Sequence, residues 1–322
     1  MDRNEIDRDA LVALLLRPGQ VHAQPSVKLS ATRWIAAEEW DRLKPHEREF
    51  VRAYATGVSA RSGAVVGLSS ARLHLMWVLP QKNPLVELVT PNSKPPSRSQ
   101  WPDGVMYRRE IIPDMDLTRV HGTIVFTTPA RTAVDIARWH GVRAGVVALD
   151  SLLSEMPTAE HTAFRRLVHA TTQRLTGCRG IQHARQALKW SSHLSESPGE
   201  SIFRTACLER GIVLQEQMWI GPDTRVDFLD DHDIVIEIDG GVKHDADPKK
   251  SALEQLQREN WVRETRRHVI RFTANEAMRD VDRCVDHYLA FKENAPYLGQ
   301  PTVEADVFRP SFGPTWRTNQ AG

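Results

Sequence analysis

The chain has 322 residues, of which 41% are apolar and 26% charged, and its formal net charge is +1. This is the composition of ordinary globular domains, and a charge so close to zero excludes a global attraction to nucleic acid, so that any such attraction must be local. Three scattered cysteines without a CxxC pair argue against a disulfide framework or a zinc ribbon. The first apolar run, LVALLL, is too short for a signal segment or a membrane span, so we expect a cytoplasmic protein that does not enter a membrane.

The first 190 residues are predicted to contain a helical segment followed by an α/β unit. Residues 1–57 have apolar positions near helical spacing, with a break at Pro45. Residues 58–190 combine short β-type runs with helical patterns. The elements predicted there are a helix pair around Gly67, strands over Leu85–Thr90, Val105–Ile111 and Gly122–Phe126, and a helix that opens at Thr128-Pro129 and ends at Gly141.

Three motifs of residues 58–190 follow one another in a recognisable order. They are a serine- and alanine-rich helix, a glycine followed by leucine, and a helix with the pattern TPxRT. As an ordered set they resemble the middle part of abortive-infection-type antitoxins. The resemblance implies a toxin or another protein as a partner of this region. The winged-helix module that precedes these motifs in such proteins is not evident in residues 1–57.

Residues 161–190 form a basic stretch with six arginines or lysines and no acid. Two of them, Arg165 and Arg166, are adjacent, and such a cluster can bind the phosphates of nucleic acid. The alternative is that these cations are the solvated face of two helices joined around residues 177–180. Charge reversal at both positions separates the two interpretations, because a backbone contact makes binding steeply dependent on salt.

The stretch Arg225–His244 is the part of the chain whose residue types are hardest to explain by folding. Ile234, Ile236 and Ile238 alternate with Val235, Glu237 and Asp239, the period of a strand with one apolar face. Acids are depleted in strands, and like charges on one face repel each other. The alternative is a solvated outer face, but a second acid on that face and a third, Asp227, ten residues before Glu237 favour a functional site.

The loop between the two strands decides whether the three acids meet. If the five residues 229–233 close it, Asp227 pairs with Val235 and shares a face with Glu237 and Asp239. If four residues close it without a bulge, Asp227 faces away from them. A shared metal site therefore requires the odd register or a bulge.

A cluster of carboxylates raises its own pKa values unless a cation neutralises it. Mg²⁺, or Mn²⁺ in its place, is satisfied by one or two carboxylates with waters and phosphate oxygens, so we expect Asp227, Glu237 and Asp239 to be metal ligands. His244 has a pKa suited to proton transfer, and Lys243 is placed to contact phosphate. The alternatives are a capping histidine and a solvated loop lysine.

The pattern D-F … E-x-D-G … H in this stretch resembles the very-short-patch-repair-like endonuclease domain of the PD-(D/E)XK nuclease superfamily. The resemblance implies a restriction-endonuclease-like αβββαβ(α) core with a mixed sheet. Around it the sequence predicts a helix over Ser197–Arg210, strands over Ile212–Ile220 and His268–Thr273, and helices over Lys249–Arg267 and Glu276–Phe291. The superfamily has lysine two residues after the glutamate, whereas this chain has Asp239, so we move the role of general base to His244.

Two further residues match the nuclease pattern. Glu200 on the first helix is expected to support the site, although Ser197-Pro198-Gly199-Glu200 is also a capping box that explains it locally. Arg258 is expected to stabilise charge on the phosphate, with an ion pair to a neighbouring glutamate as the alternative.

The sequence as a whole therefore predicts an α/β protein that is a magnesium-dependent endonuclease acting on nucleic acid, DNA in the first place. Its predicted parts are a helical segment (1–57), an antitoxin-like region (58–190), a nuclease-like domain (191–293) and an extended tail (294–322) that docks through Phe308, Phe312 or Trp316. The rival hypothesis is a regulator or antitoxin without catalysis, which uses the same fold to bind nucleic acid or a toxin.

Overall fold

The computed structural model describes residues 7–23, 25–60, 62–90, 94–120, 124–240, 256 and 260–309. The chain divides into two compact units, which we call the N-terminal unit (Met1–Ser191) and the C-terminal unit (Ser192–Gly322). Both combine helices with sheets, so the predicted α/β class is confirmed. The division falls within one residue of the expected start of the nuclease-like domain at residue 191.

The N-terminal unit begins with small elements and continues into a larger α/β arrangement. Its helices are α1 (Arg8–Ala13), α2 (Ala37–Arg42), α3 (Pro45–Ser59), α4 (Gly67–His74), α5 (Pro129–His140), α6 (Val142–Glu155), α7 (Thr158–Arg174) and α8 (Ile181–Trp190). Its strands are β1 (Leu15–Leu16), β2 (Ser26–Lys28), β3 (Trp34–Ala36), β4 (Ala64–Val65), β5 (Val86–Val89), β6 (Val105–Arg108), β7 (Leu117–Val120) and β8 (Ile124–Thr127).

These strands form two sheets. One has the order β1-β3-β2, and the other has the order β6-β5-β4-β8-β7 with parallel pairs β5–β6 and β4–β8. Helices α4 to α8 enclose a core of small and medium apolar side chains that includes Ala137, Val146, Leu149 and Val168. Helix α5, which carries the TPxRT motif, is part of this core through Ala133, Val134 and Ala137.

Three predictions for the N-terminal unit need correction. The helix pair around Gly67 is wrong, because Ala64 and Val65 form strand β4 and only the second helix, α4, is present. Strand β7 was not predicted. Residue 57 does not end a segment, since α3 runs through it to Ser59 and residues 1–57 belong to the same compact unit as the region that follows.

Short strands explain the first two errors, because two to four residues show too little alternation to be recognised. Strand β4 is completed only by its neighbours: Val65 pairs with Leu88 of β5 and with Phe126 of β8. The turn into α4 depends on Gly67, whose φ of +55° a glycine adopts at low cost.

The C-terminal unit contains α9 (Pro198–Glu209), β9 (Gln215–Ile220), β10 (Arg225–Leu229), β11 (Ile234–Asp239), β12 (His268–Thr273), α10 (Ala274–Arg279), α11 (Val281–Asn294) and β13 (Ala305–Asp306). Residues 256 and 260–264 are helical, within the predicted helix Lys249–Arg267. The strands form a mixed sheet in the order β12-β11-β10-β9-β13, in which only β11 and β12 are parallel among these pairs.

Aromatic side chains hold α9 on this sheet. The ring of Phe203 lies 5.9 Å from that of Phe228, 5.5 Å from that of Phe272 and 6.3 Å from that of Tyr288, centroid to centroid. Such pairs stabilise packing by about 0.5–1.5 kcal/mol each beyond the area they bury. The first turn of α9 is thereby fixed over strands β10 to β12, which matters because Glu200 lies in that turn.

The predicted tail is partly wrong. Residues 305–306 join the sheet as β13, antiparallel to β9, and Val303 and Ala305 pack against the apolar cluster around Met218 and Val226. Phe308 is 79% exposed and therefore does not dock the tail. Phe312 and Trp316 lie outside the described residues.

Candidate active site

The register of β10 and β11 brings the predicted acids to one face of the sheet. Phe228 pairs with Ile236 and Leu229 with Val235, which places Asp227 opposite Glu237. Directly opposed residues share a face in an antiparallel pair, and so do Glu237 and Asp239, two residues apart. The predicted common face is confirmed, whereas the expected pairing of Asp227 with Val235 is wrong by two residues.

A tighter loop than expected causes this difference. Strand pairing continues to Asp230, whose N–H donates to Ile234 O at 3.1 Å, so that three residues rather than five close the hairpin. Asp233 takes a left-handed conformation with φ of +59°, the usual end of a three-residue hairpin loop. The observed loop is two residues shorter than the expected one. Because two is an even number, the three acids still share the face of the sheet on which they were expected.

Asp227 is held by the neighbouring backbone. Its Oδ2 accepts a hydrogen bond from the N–H of Ile238 at 2.7 Å. The Asp227 side chain thus replaces a backbone-to-backbone hydrogen bond at the end of the β10–β11 pairing. No described residue donates to its other oxygen, Oδ1. Burial raises the pKa of Asp227 to about 6; the bond from Ile238 acts against this rise, and the nearby charges of Glu196 and Asp239 add to it.

Glu200 is brought to the same place by the start of α9. Ser197 caps the helix by accepting from the N–H of Glu200 at 3.1 Å, and Pro198 occupies the first turn. Gly199 allows the helix to approach β11, because a Cβ there would lie 2.9 Å from a methyl group of Ile238. Burial, followed by the charge of Asp227, raises the pKa of the Glu200 carboxyl group well above its ordinary value.

The capping box is only half formed in this helix. The Oε2 of Glu200 does not bond to the N–H of Ser197 but accepts from the N–H of Glu196 at 2.8 Å and from Nε2 of Gln217 at 3.1 Å. Glu200 is 4% exposed. Its side chain therefore contributes to a buried polar cluster, beyond the local cap that explains its backbone position.

Gln217 and Arg271 are members of this face that the sequence did not predict as functional. The β9–β10 register places Gln217 opposite Asp227, and the parallel β11–β12 register pairs Arg271 with Glu237. Arg271 Nη2 lies 3.9 Å from Glu237 Oε2, and Nη1 lies 3.7 Å from Asp239 Oδ2. The sequence offered one signal for Arg271, its place in the predicted strand His268–Thr273 of the nuclease-like core, and none for Gln217.

One row of polar side chains thus crosses four strands, which we call the polar row: Gln217, Asp227, Glu237 and Arg271. Glu200 bonds to its first member, and Asp239 lies beside its last two. Carboxylates outnumber the one arginine of the row. Burial is the main cause of the raised pKa values of Glu200 and Asp227, and the neighbouring negative charges add to it. A cation bound there would relieve that repulsion.

The predicted metal ligands do not gather into a closed cage within the described part of the chain. No group of three or more acidic, histidine or cysteine side chains there lies close enough to hold one ion. What the face offers a hard cation is two carboxylates at a time. One or two carboxylates suffice for Mg²⁺ when waters and a phosphate complete its coordination shell. Lys243, His244 and Arg258 lie outside the described residues.

The two arginines predicted to bind nucleic acid have different surroundings. Arg165 donates to Leu188 O at 3.2 Å, to Ser191 Oγ at 3.0 Å and to Ser191 O at 2.7 Å. It therefore closes the C-terminal end of α8, a structural role that explains it. Arg166 is exposed, and its role in binding stays a prediction.

A second charged cluster is buried in the N-terminal unit. Arg131 of α5 is 1% exposed, and it donates to Asp135 at 2.8 Å, to Asp116 at 3.0 Å and to Glu110 at 3.3 Å. Arg138 donates to the other oxygen of Asp135 at 2.7 Å. Buried charges that are paired and fully bonded hold neighbouring elements in one arrangement, so the arginine of the TPxRT motif is structural.

Residues 82–190 match the model of the AbiEi antitoxin C-terminal domain. This part of the chain is similar to an antitoxin. The match covers less than half of the chain and runs from just before β5 to the end of α8. It includes the TPxRT motif, whereas the serine- and alanine-rich helix and the Gly-Leu pair lie before its start. No curated protein and no solved structure is significantly similar to the chain. In the described ranges, none of the helices has both the length and the apolar character that crossing a bilayer needs.

Proposed function

We propose that the C-terminal unit is a metal-dependent endonuclease that hydrolyses phosphodiester bonds in DNA. The observation that carries the proposal is the polar row, in which Asp227 and Glu237 face each other on neighbouring strands. Both side chains are half-buried, and like charges directly opposite each other on neighbouring strands are destabilising, so folding alone does not favour them. Residues with strongly perturbed pKa values cluster at functional sites.

The chain's own groups have distinct roles in this proposal. Asp227 and Glu237 would hold a Mg²⁺ or Mn²⁺ ion, with Asp239 holding a second ion or orienting water. The bound ion would polarise the phosphate and lower the pKa of a water. The backbone N–H of Ile238 fixes Asp227. His244 would move the proton, with Lys243 and Arg258 on the phosphate.

Cleavage of supercoiled plasmid tests the proposal. Wild-type protein should nick or linearise plasmid DNA with Mg²⁺ or Mn²⁺ and not with EDTA. Asp227→Asn should reduce the rate by at least about a hundredfold, since removal of a single electrostatic group in an active site costs about 10²–10³ in rate. Asp286→Asn is the matched control, because Asp286 is an exposed acid of α11 that pairs with Arg210.

The proposal fails if wild-type protein leaves DNA and RNA of every topology intact under these conditions. It also fails if Asp227→Asn cleaves as fast as the wild type, since the activity would then come from a contaminant or from another site.

The second candidate is a regulator without catalysis, an antitoxin-like protein that binds nucleic acid or a toxin. The family match of residues 82–190 supports this function for the N-terminal unit. It predicts binding of the protein to nucleic acid or to a toxin with no cleavage and no effect of Asp227→Asn. The two functions can also be combined in one chain, with the N-terminal unit choosing the partner or substrate.

A further inference from the structure

An open cleft lies in the N-terminal unit, and we call it the basic cleft. Its volume is about 1240 Å³, larger than the roughly 300–1,000 Å³ of pockets that enclose small molecules. One wall is the segment 108–111 at the end of β6, and the other is the turn between α7 and α8 with the first residues of α8. The end of α5 lies between the walls. A cleft of this size fits a stretch of another chain better than it fits a small ligand.

Arg138 at the end of α5 ties the two walls together. Its guanidinium donates to the carboxylate of Glu110 on the first wall at 3.2 and 3.3 Å, and to Arg179 O on the second at 3.3 Å. Gly180 allows the second wall to approach α5, because a Cβ there would lie 2.1 Å from Arg138 O. The cleft is therefore held in shape before a ligand binds, which lowers the entropic cost of binding.

Two positive charges of the basic cleft are available to a ligand. Arg108 and Arg138 are neutralised by acids of their own unit. Arg109 and Arg179 are exposed and come from opposite walls, and among the described residues no acid pairs with either side chain. A ligand with two negative charges would complement this pair.

Apolar surface accompanies these charges. Ile111 on the first wall is 71% exposed. Trp139 is half-buried at the end of α5, where the guanidinium of Arg108 lies 4.5 Å from its ring centroid. Arginine and aromatic side chains are enriched in surfaces that bind proteins. A nucleic acid backbone would instead require many more cations, since such complexes commonly engage about 6–10 phosphates.

We propose that the basic cleft binds an acidic segment of a partner protein, with carboxylates on Arg109 and Arg179 and an apolar side chain against Ile111. Carboxylates suit these arginines because one guanidinium can donate two parallel hydrogen bonds to a carboxylate. The inference goes beyond the proposed function and depends on no residue of the polar row, so a failure of the nuclease proposal leaves it unchanged.

Selection from a random library of short peptides displayed on phage tests the class of ligand, with the full-length wild-type protein as bait. The enriched peptides should carry at least two acidic residues together with an apolar one. The inference is overturned if no peptide is enriched, or if the enriched peptides show no excess of acidic residues over the starting library.

Fluorescence anisotropy of the enriched peptides tests the site. Arg109→Gln and Arg179→Gln should each weaken binding about tenfold, since each removes a hydrogen-bonded charge. Ile111→Ser should weaken it about tenfold through lost apolar contact. Because all three side chains are exposed, the thermal midpoint should not change. Arg119→Gln is the matched control: Arg119 is exposed on β7, at the opposite edge of the same sheet, and its loss should leave binding unaltered.

The same assay with labelled single-stranded and duplex DNA tests the other kind of occupant. If the two arginine substitutions weaken the binding of DNA more than that of the peptides, the cleft is a nucleic-acid site and the inference is wrong. It is equally wrong if the protein with both Arg109→Gln and Arg179→Gln binds the enriched peptides as tightly as the wild type does.

Discussion

Replacing Arg131 by methionine should strongly destabilise the N-terminal unit. Methionine fills the space of the arginine stem, so the main effect is electrostatic. The change leaves Asp135, which is fully buried, with Arg138 as its remaining described cation, and it also removes a donor from Asp116 and Glu110. Breaking a buried ion pair from one side costs about 3–5 kcal/mol, a large part of the roughly 5–15 kcal/mol that stabilises a folded domain.

The cost should depend on pH. Burial raises the pKa of Asp135 to about 6 even though two arginines bond to it. Without Arg131 that pKa rises further, because a stabilising positive charge is gone. Asp135 can then avoid the penalty of buried charge by taking up a proton in acid. The destabilisation should therefore be larger at pH 8 than at pH 5.

Amide hydrogen exchange followed by mass spectrometry is the appropriate assay, since a chain of two compact units need not unfold in one transition. Peptides from α5 should lose protection in Arg131→Met, whereas peptides from β11 should not change. Arg42→Met is the control: Arg42 pairs with Glu38 and Glu39 on an exposed face, where a pair contributes about 0–1 kcal/mol. The reasoning is refuted if α5 keeps its wild-type protection in Arg131→Met.

Two further predictions concern the N-terminal unit. His74→Gln should reduce the loss of stability of the N-terminal unit in acid. The imidazole Nε2 of His74 lies 2.8 Å from Thr127 O, and burial lowers the pKa of His74, so the wild-type unit loses stability as the pH falls below about 6.5. Amide exchange of α4 peptides at pH 8 and pH 5, corrected for the intrinsic exchange rate, would show the difference. Gly67→Ala should lower the thermal midpoint by several degrees, because its Cβ would collide with the buried carboxylate of Glu87 and its φ is positive. Gly104→Ala is the control, since its φ is also positive but its Cβ would meet nothing within 4 Å.

Elements with clear end signals were predicted closely from the sequence. Helix α5 begins at Pro129 with Thr128 as its N-terminal cap, as predicted, and its last residue is one before Gly141. Strand β12 has the predicted bounds, because HVIRFT is a run of strand-forming residues that ends at the cap of α10. The break between α10 and α11 was missed since Asp280, which caps α11, interrupts an otherwise continuous helical pattern.

The candidate site could be predicted only as far as local periodicity reaches. Asp227, Glu237 and Asp239 belong to one hairpin. Whether they share a face depends only on whether the short loop has an odd or an even number of residues. The acids are evident in the sequence, and strand geometry supplies this rule. Arg271 and Gln217 enter the polar row through other pairings. A helical segment separates β11 from β12, and no local pattern tells which residue of β12 will lie beside Glu237.

Gln217 shows most sharply why tertiary structure was needed. A glutamine in a strand carries no signal for a left-handed backbone, and alternation would have assigned its direction by parity. Its φ is +54°. Its amide donates to Glu200, a residue of α9, and α9 packs on the sheet through Phe203. A disfavoured local conformation and a long-range bond thus coincide at Gln217, and conflicts between local and global preference are expected at functional sites.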